Sequence, residues 1–143
     1  MGRFGTISIQ HVGMHVKNME ETIAWYHDVL GFELEPSKSE MPGIFPKCKV
    51  LRLGGFFLEL YEVMNAEPFT FTQLEYTLGP KHLSFYVEDL DGLMDYIEER
   101  GDIEVVVDNR YSPNWCHIPE GDRAVYILDN NGLLVELQKH ERK

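Results

Sequence analysis

The sequence is poor in cysteine, in basic residues and in long apolar runs, and each shortage excludes a class of protein. Its two cysteines, Cys48 and Cys116, form no Cys-x-x-Cys pair, so we expect free thiols rather than a disulfide or a zinc site. The sequence has 13 basic and 24 acidic residues, and the resulting net charge of −11 would repel nucleic acid. No apolar run could cross a bilayer, and the first ten residues do not resemble a secretory signal. We therefore expect a cytoplasmic protein with neither nucleic-acid nor membrane partners.

What is present is one structural pattern that occurs twice. In its first copy, an alternating, β-branched run at 7–16 predicts a strand, Asn18 can cap a helix, and Gly31 can end it. The residues expected on the buried face of that helix are Met19, Ile23, Tyr26 and Leu30. Three extended segments are expected afterwards, near residues 31–38, 47–54 and 55–64.

The same order restarts near residue 80. The run 82–87 predicts a strand, and Asp89 and Gly101 bracket a second helix. The expected buried face of that helix comprises Leu90, Leu93, Met94 and Ile97, and the strands expected after it lie near 103–108, 123–128 and 133–139. The letters themselves repeat, since GFFLEL at 55–60 matches GLLVEL at 132–137 position for position.

The duplication predicts an α+β fold built from two tandem βαβββ modules. We expect one domain over residues 1–143, because a module this short cannot easily bury a sheet face alone. Its eight strands are expected to form a cup-shaped, mostly antiparallel sheet with a metal site inside. Its parts are module one at 7–64, a linker at 65–79 and module two at 80–139.

Each module is expected to offer one histidine and one glutamate to that metal site. Side chains alternate across a strand, so apolar neighbours facing the helix leave His11 and Glu59, and likewise His82 and Glu136, on the opposite face. A lone histidine in a strand is usually only hydrogen-bonded, and a lone carboxylate can simply protect an edge strand. Two carboxylates in one cavity would repel each other without a cation, however. The four residues therefore predict one divalent ion, from among Ni, Co, Zn, Fe and Mn.

The same residues carry a resemblance to a known family. The repeated modules, the helix segment WYHDVLGF at 25–32 and the run DNNGLLVELQ at 129–138 are similar to the vicinal oxygen chelate superfamily. That group includes glyoxalase, bleomycin-resistance and extradiol dioxygenase proteins. The ligand order of histidine, glutamate, histidine, glutamate most resembles glyoxalase I, which is lactoylglutathione lyase.

The resemblance implies a metal-dependent lyase or isomerase. Catalysis would proceed by proton transfer next to a metal-chelated carbonyl, through an enediolate, with Glu136 as the proton-transfer carboxylate and Glu59 as its partner. Three other interpretations stay open. One is an epimerase similar to methylmalonyl-CoA epimerase, another is an iron-dependent extradiol dioxygenase, and the third is a non-catalytic binding protein of the bleomycin-resistance kind.

A small-molecule substrate is expected to meet residues around this site. Strand alternation places four of them beside the ligands, namely His15, Tyr61, Ser84 and Tyr86. The segment 109–123 adds Arg110, Trp115 and Arg123, although it could equally be a surface connector. The resemblance also implies a homodimer, with each site built either within one chain or across two.

Overall fold

The computed structural model describes residues 3, 5–36, 47–67, 78–111 and 123–139. The chain divides into two compact units, residues 1–67 and 68–143, and the boundary between them falls in the linker expected at 65–79. Among the described residues, no helix has the length and apolar character needed to cross a membrane.

The first unit has the βαβββ order expected for module one. Its elements are β1 (Val12–Val16), α1 (Met19–Leu30), β2 (Glu33–Leu34), β3 (Cys48–Leu53) and β4 (Phe56–Glu62). Strands β1 and β4 run parallel, whereas the pairs β4–β3 and β3–β2 are antiparallel, which gives a sheet of order β1-β4-β3-β2.

The second unit repeats this topology. Its elements are β5 (His82–Tyr86), α2 (Leu90–Arg100), β6 (Val105–Asp108), β7 (Arg123–Leu128) and β8 (Leu134–Lys139). Its sheet has the order β5-β8-β7-β6, with β5 and β8 parallel and the other two pairs antiparallel. The tandem α+β modules and the mostly antiparallel pairing are confirmed, and the eight described strands form two sheets of four.

Helix α1 begins and ends where the sequence predicts. The Asn18 side chain accepts a hydrogen bond from the Glu21 amide at 3.1 Å, and Gly31 adopts a left-handed conformation with φ 74°. A third contact, which the sequence did not indicate, joins the helix to the sheet. The Met19 amide donates to the Glu62 carboxylate at 2.9 Å, so a negative charge from β4 lies at the positive end of the helix.

The buried face of α1 differs from the expected one. Ile23 and Leu30 are only half-buried, and the positions packed in the core are Met19, Thr22, Trp25, Tyr26 and Val29. Burial of Thr22 costs little because its hydroxyl donates to the Asn18 carbonyl at 2.8 Å. Helix α2 follows its expected pattern more closely: Leu90, Met94 and Ile97 are buried and only Leu93 is half-exposed.

Strand β1 is shorter than expected, since it begins at Val12 rather than at residue 7. The β1–β4 ladder runs from Val12–Leu58 onward, and residues 6–11 lie outside every described strand. Consequently Ile7 and Ile9 are 83% and 86% exposed, although their β-branched side chains suit a strand.

The left-handed cap at Gly31 gives a test of this fold. We expect Gly31→Ala to lower the free energy of unfolding by about 1–2 kcal/mol, because a Cβ is disfavoured in that conformation. Urea denaturation followed by circular dichroism measures the change. Gly55→Ala is the matched control. Gly55 has no positive φ, and among the described residues no atom lies within 4 Å of the place that an alanine Cβ would take, so a change under about 0.5 kcal/mol is expected. Equal losses in both variants would contradict the role given to Gly31.

Candidate metal centre

The two faces of each sheet differ in character. On the helix side of the first sheet, Leu58 and Leu60 of β4 are fully buried. Glu59 lies between them in sequence and therefore points to the opposite face. In the second sheet, Val135 and Leu137 are likewise fully buried on either side of Glu136. Apolar burial on the helix side thus fixes the direction of both carboxylates.

In the first unit, His11 and Glu59 meet. The His11 Nε2 lies 2.8 Å from Glu59 Oε2, and the two side chains are 42% and 15% exposed. The other ring nitrogen of His11 contacts the side-chain oxygen of Gln10. The second carboxylate oxygen of Glu59 lies 3.5 Å from the Cys48 thiol, which is free. A hydrogen bond to Glu59 also raises the pKa of the Tyr61 hydroxyl to about 12, so Tyr61 stays a donor at neutral pH.

The second unit contains the corresponding pair. The His82 Nε2 lies 3.2 Å from Glu136 Oε2, and the Glu136 side chain is only 7% exposed. On the other carboxylate oxygen, Oε1, the Tyr126 hydroxyl donates at 2.7 Å and the Gln138 amide at 2.8 Å. Burial by itself would raise the pKa of Glu136, but hydrogen bonds from Gln138, Tyr126 and Ser84 outweigh it and lower that pKa. Glu136 is therefore held as an anion.

Strand register makes the two pairs equivalent. In the first sheet Glu59 lies opposite Gly13, two residues after His11, and in the second Glu136 lies opposite Ser84, two residues after His82. The same relative register in both parallel ladders brings together residues that are far apart in the chain.

The donor chemistry and spacing of each pair fit a divalent ion. Imidazole nitrogen and carboxylate oxygen are common ligands of borderline and hard divalent ions. Ligand distances of about 2.1 Å place neighbouring ligands of an octahedral ion roughly 3.0 Å apart. The observed separations of 2.8 and 3.2 Å agree with that spacing. Within the described ranges, no cluster of three or more histidine, cysteine, aspartate or glutamate side chains suited to an ion is found, so the described candidates occur as one pair per unit.

Four expected substrate contacts lie on the ligand side of their strands. His15 is the register partner of Tyr61, and their rings meet edge to face with centroids 6.3 Å apart. Ser84 lies opposite Glu136, and Tyr86 is 66% exposed on the same side of β5.

The two arginines expected to contact substrate are placed elsewhere. Arg110 and Arg123 each approach the Asp91 carboxylate of α2 at 3.2 Å, and Arg110 also pairs with Asp108 at 2.8 Å. Arg123 lies three residues before Tyr126 on β7, so the two side chains point to opposite faces of the sheet. Tyr126 faces Glu136, and Arg123 therefore faces the helix side. The structure does not bring these guanidinium groups to the candidate metal ligands. Trp115, the third expected residue of this segment, lies outside the described residues, as does Cys116.

Sequence reasoning missed the residues that support the carboxylates. Cys48, Tyr126 and Gln138 each contact a candidate ligand through their side chains. Gln138 had an available signal, because it lies two residues after Glu136 on the same strand face. Tyr126 becomes a neighbour of Glu136 only through the antiparallel register of β7–β8, and Cys48 becomes a neighbour of Glu59 only through that of β3–β4. The sequence specifies neither register.

Comparisons with known proteins agree with this architecture. A family model described as the Glyoxalase/Bleomycin resistance protein/Dioxygenase superfamily matches residues 8–137. No curated protein sequence matches the chain significantly. Among solved structures, a glyoxalase family protein from Enterococcus faecalis is 26% identical, with a TM-score of 0.70 over 92% of this chain and 96% of that one.

A second similar structure is the fosfomycin resistance protein FosX from Listeria monocytogenes. It is 20% identical, with a TM-score of 0.66 over 94% of this chain and 93% of that chain. Another structure of FosX, which covers 93% of this chain and 90% of its own at 19% identity and a TM-score of 0.65, contains Mn(II) and a sulfate ion. At these identities the likeness to FosX concerns the fold.

Proposed function

This chain belongs to the glyoxalase/bleomycin resistance protein/dioxygenase superfamily, and we propose that it is a divalent-metal-dependent lyase or isomerase of the glyoxalase type. The observation that carries the proposal is the pairing of a histidine with a glutamate at equivalent positions of both modules. Many members of the superfamily are enzymes, and FosX, a member of similar fold, has been crystallised with Mn(II). The proposed ligands are His11, Glu59, His82 and Glu136.

The presence of Glu59 in addition to Glu136 favours a lyase or isomerase over a ring-cleaving dioxygenase. Extradiol dioxygenases resemble this chain but use three protein ligands and lack a carboxylate at the position of Glu59. A fourth protein ligand leaves an octahedral ion fewer positions for substrate and oxygen together. When bound, the ion would supply positive charge that stabilises an oxygen anion on the substrate.

The carboxylates would then do the proton chemistry on an α-oxygenated carbonyl compound. One carboxylate oxygen accepts the proton from the carbon beside the carbonyl, and the electron pair of the broken C–H bond enters a carbon–carbon double bond. The protonated carboxyl group can exchange its proton with solvent before it gives a proton to the neighbouring carbon, so the isomerisation involves no net gain or loss of atoms. Glu136 and Glu59 are the two candidates for this transfer, and their side chains are 7% and 15% exposed.

The residues beside the ligands would contact the substrate. His15, Tyr61, Ser84 and Tyr86 offer hydroxyl groups and aromatic rings on the ligand side of the sheets. His15 stands where glyoxalase I of the bacterial type has an arginine that helps to bind glutathione. Arg110 and Arg123 form ion pairs with Asp91, so we assign substrate recognition primarily to the four residues on the sheets. Trp115 remains a candidate contact.

Metal retention tests the ligand assignment. We expect His82→Ala to lower the metal retained after dialysis by more than about tenfold, because losing even a residue hydrogen-bonded to a ligand costs roughly 10- to 100-fold in affinity. Elemental analysis of the purified protein measures this. His27→Ala is the control, since His27 lies on the exposed side of α1 with its ring bonded to the Phe32 carbonyl at 2.9 Å. Full retention in the His82 variant would show that the ligand assignment is wrong.

Exchange of carbon-bound hydrogen tests the reaction class. In D₂O, metal-loaded protein should convert the hemithioacetal of a 2-oxoaldehyde and incorporate deuterium, which NMR detects. Glu136→Gln and Glu59→Gln should each slow turnover by at least about 100-fold, a usual loss for a general acid–base group. Glu98→Gln, on the exposed side of α2, is the control and should turn over normally.

Two results would contradict the lyase or isomerase proposal. One is the absence of exchange with both hemithioacetals and acyl-CoA epimers. The other is oxygen uptake by the iron-loaded protein with a catechol, which would indicate a dioxygenase instead.

We further propose a homodimer, because proteins of this superfamily are typically oligomers that bind small molecules. Light scattering at micromolar concentration should give twice the chain mass of 16.6 kDa. The mass should be the same for wild-type protein and the His27→Ala variant. A mass of one chain over the whole concentration range would refute the dimer.

A further inference from the structure

We propose that Tyr126 is a positioning residue that fixes Glu136 as a ligand through a single oxygen and orients His82 beside it. The inference rests on the proposed metal site. It adds to that site a residue from β7, a strand that carries none of the four proposed ligands.

The first support is that the two carboxylate oxygens of Glu136 have different partners. Tyr126 lies directly opposite Glu136 in the β7–β8 ladder, and its hydroxyl donates to Oε1 at 2.7 Å. The Gln138 amide donates to the same oxygen at 2.8 Å. A carboxylate oxygen has about two lone pairs, so these donors occupy Oε1. Ser84 also hydrogen-bonds Glu136, and Oε2 faces His82 Nε2 at 3.2 Å, so Oε2 is the oxygen that we assign to an ion.

The second support is the contact of the same tyrosine with the histidine. The rings of Tyr126 and His82 pack edge to face, with centroids 5.8 Å apart and an interplanar angle of 83°. Tyr126 therefore touches both members of the pair, since its hydroxyl holds Glu136 and its ring restricts His82. One rigid side chain with only two rotatable bonds fixes the relative placement of the two proposed ligands.

The third support is that the first unit lacks this arrangement. The register partner of Glu59 on the neighbouring antiparallel strand is Val50, which has no hydroxyl and no ring. There the donors to Glu59 are Tyr61, on its own strand, and Cys48. Because Val50 occupies the position that corresponds to Tyr126, the tyrosine is not required by the fold of the module. Its presence in the second unit alone points to a role at Glu136.

The test uses Co(II), which reports affinity and coordination without turnover. Tyr126→Phe keeps the ring against His82 and removes only the hydroxyl, so Oε1 loses one of its two donors and the carboxylate is held less firmly in its orientation. We expect Co(II) affinity, measured by chelator competition, to fall by roughly 10- to 100-fold. The visible absorption spectrum of bound Co(II) should also change, which a merely structural role of the hydroxyl would not produce.

Two further variants make the result decisive. Gln138→Met removes the other donor to Oε1 at nearly constant volume, and should alter affinity and spectrum in the same direction. Tyr111→Phe, at a side chain that is 77% exposed and packs on Arg110, should leave both unchanged. Circular dichroism and the unfolding midpoint establish that each variant folds.

The outcomes separate this inference from the proposed function. If wild-type protein binds Co(II) and both Tyr126→Phe and Gln138→Met bind it with wild-type affinity and spectrum, the positioning role is overturned while the metal site stands. If wild-type protein does not bind Co(II), the metal site and the positioning role fail together. Should Tyr126→Phe not fold, Gln138→Met decides by the same two measurements.

Discussion

The register of the parallel pair in each module is the constraint on which the candidate site depends. A slip of one residue in β4 would turn Glu59 toward α1 and move Leu58 and Leu60 away from the core. Such a slip would bury a carboxylate among apolar side chains and expose two leucines at once, and both changes are unfavourable. The core therefore enforces the placement of the ligand. In this fold the residues that stabilise the sheet and the residues that form the site are alternate members of the same strand.

Equivalent backbones have nevertheless acquired different side-chain surroundings. Glu136 is nearly buried, and neutral donors on two strands hold one of its oxygens. Glu59 is more exposed. It accepts a hydrogen bond from Tyr61 on its own strand, and its contact with the Cys48 thiol is long and weak. The duplicated fold thus provides two carboxylates that differ in burial and in the identity of their hydrogen-bond donors.

Most of the fold could be predicted from local signals, because caps and alternation act over a few residues. Asn18, Gly31, Asp89 and Gly101 bound the helices where expected, and the pairing of each histidine with a glutamate within its module followed from alternation and the repeat. The errors arose where tertiary packing decides. Packing in the core buries Thr22, Trp25 and Val29 of α1 more fully than Ile23 and Leu30. The buried threonine is tolerated because its hydroxyl donates a hydrogen bond to the Asn18 carbonyl. Tyr126 could not be placed beside Glu136 without the β7–β8 register.

The arginines show why charge alone is a weak guide to a binding site. In an acidic chain, two nearby arginines suggested a place for an external anion, but the same acidity supplies many internal anions. Asp91 forms ion pairs with both Arg110 and Arg123, and Asp108 forms a second ion pair with Arg110. A guanidinium already paired with carboxylates must give up those contacts before it can bind a substrate anion, and it gains little by the exchange. The hydroxyl groups and aromatic rings on the ligand side already lie beside the proposed ligands, so recognition by them requires no guanidinium group to leave a carboxylate. A substrate that chelates an ion through its own oxygens also needs less help from arginine, because the ion itself supplies the opposing charge.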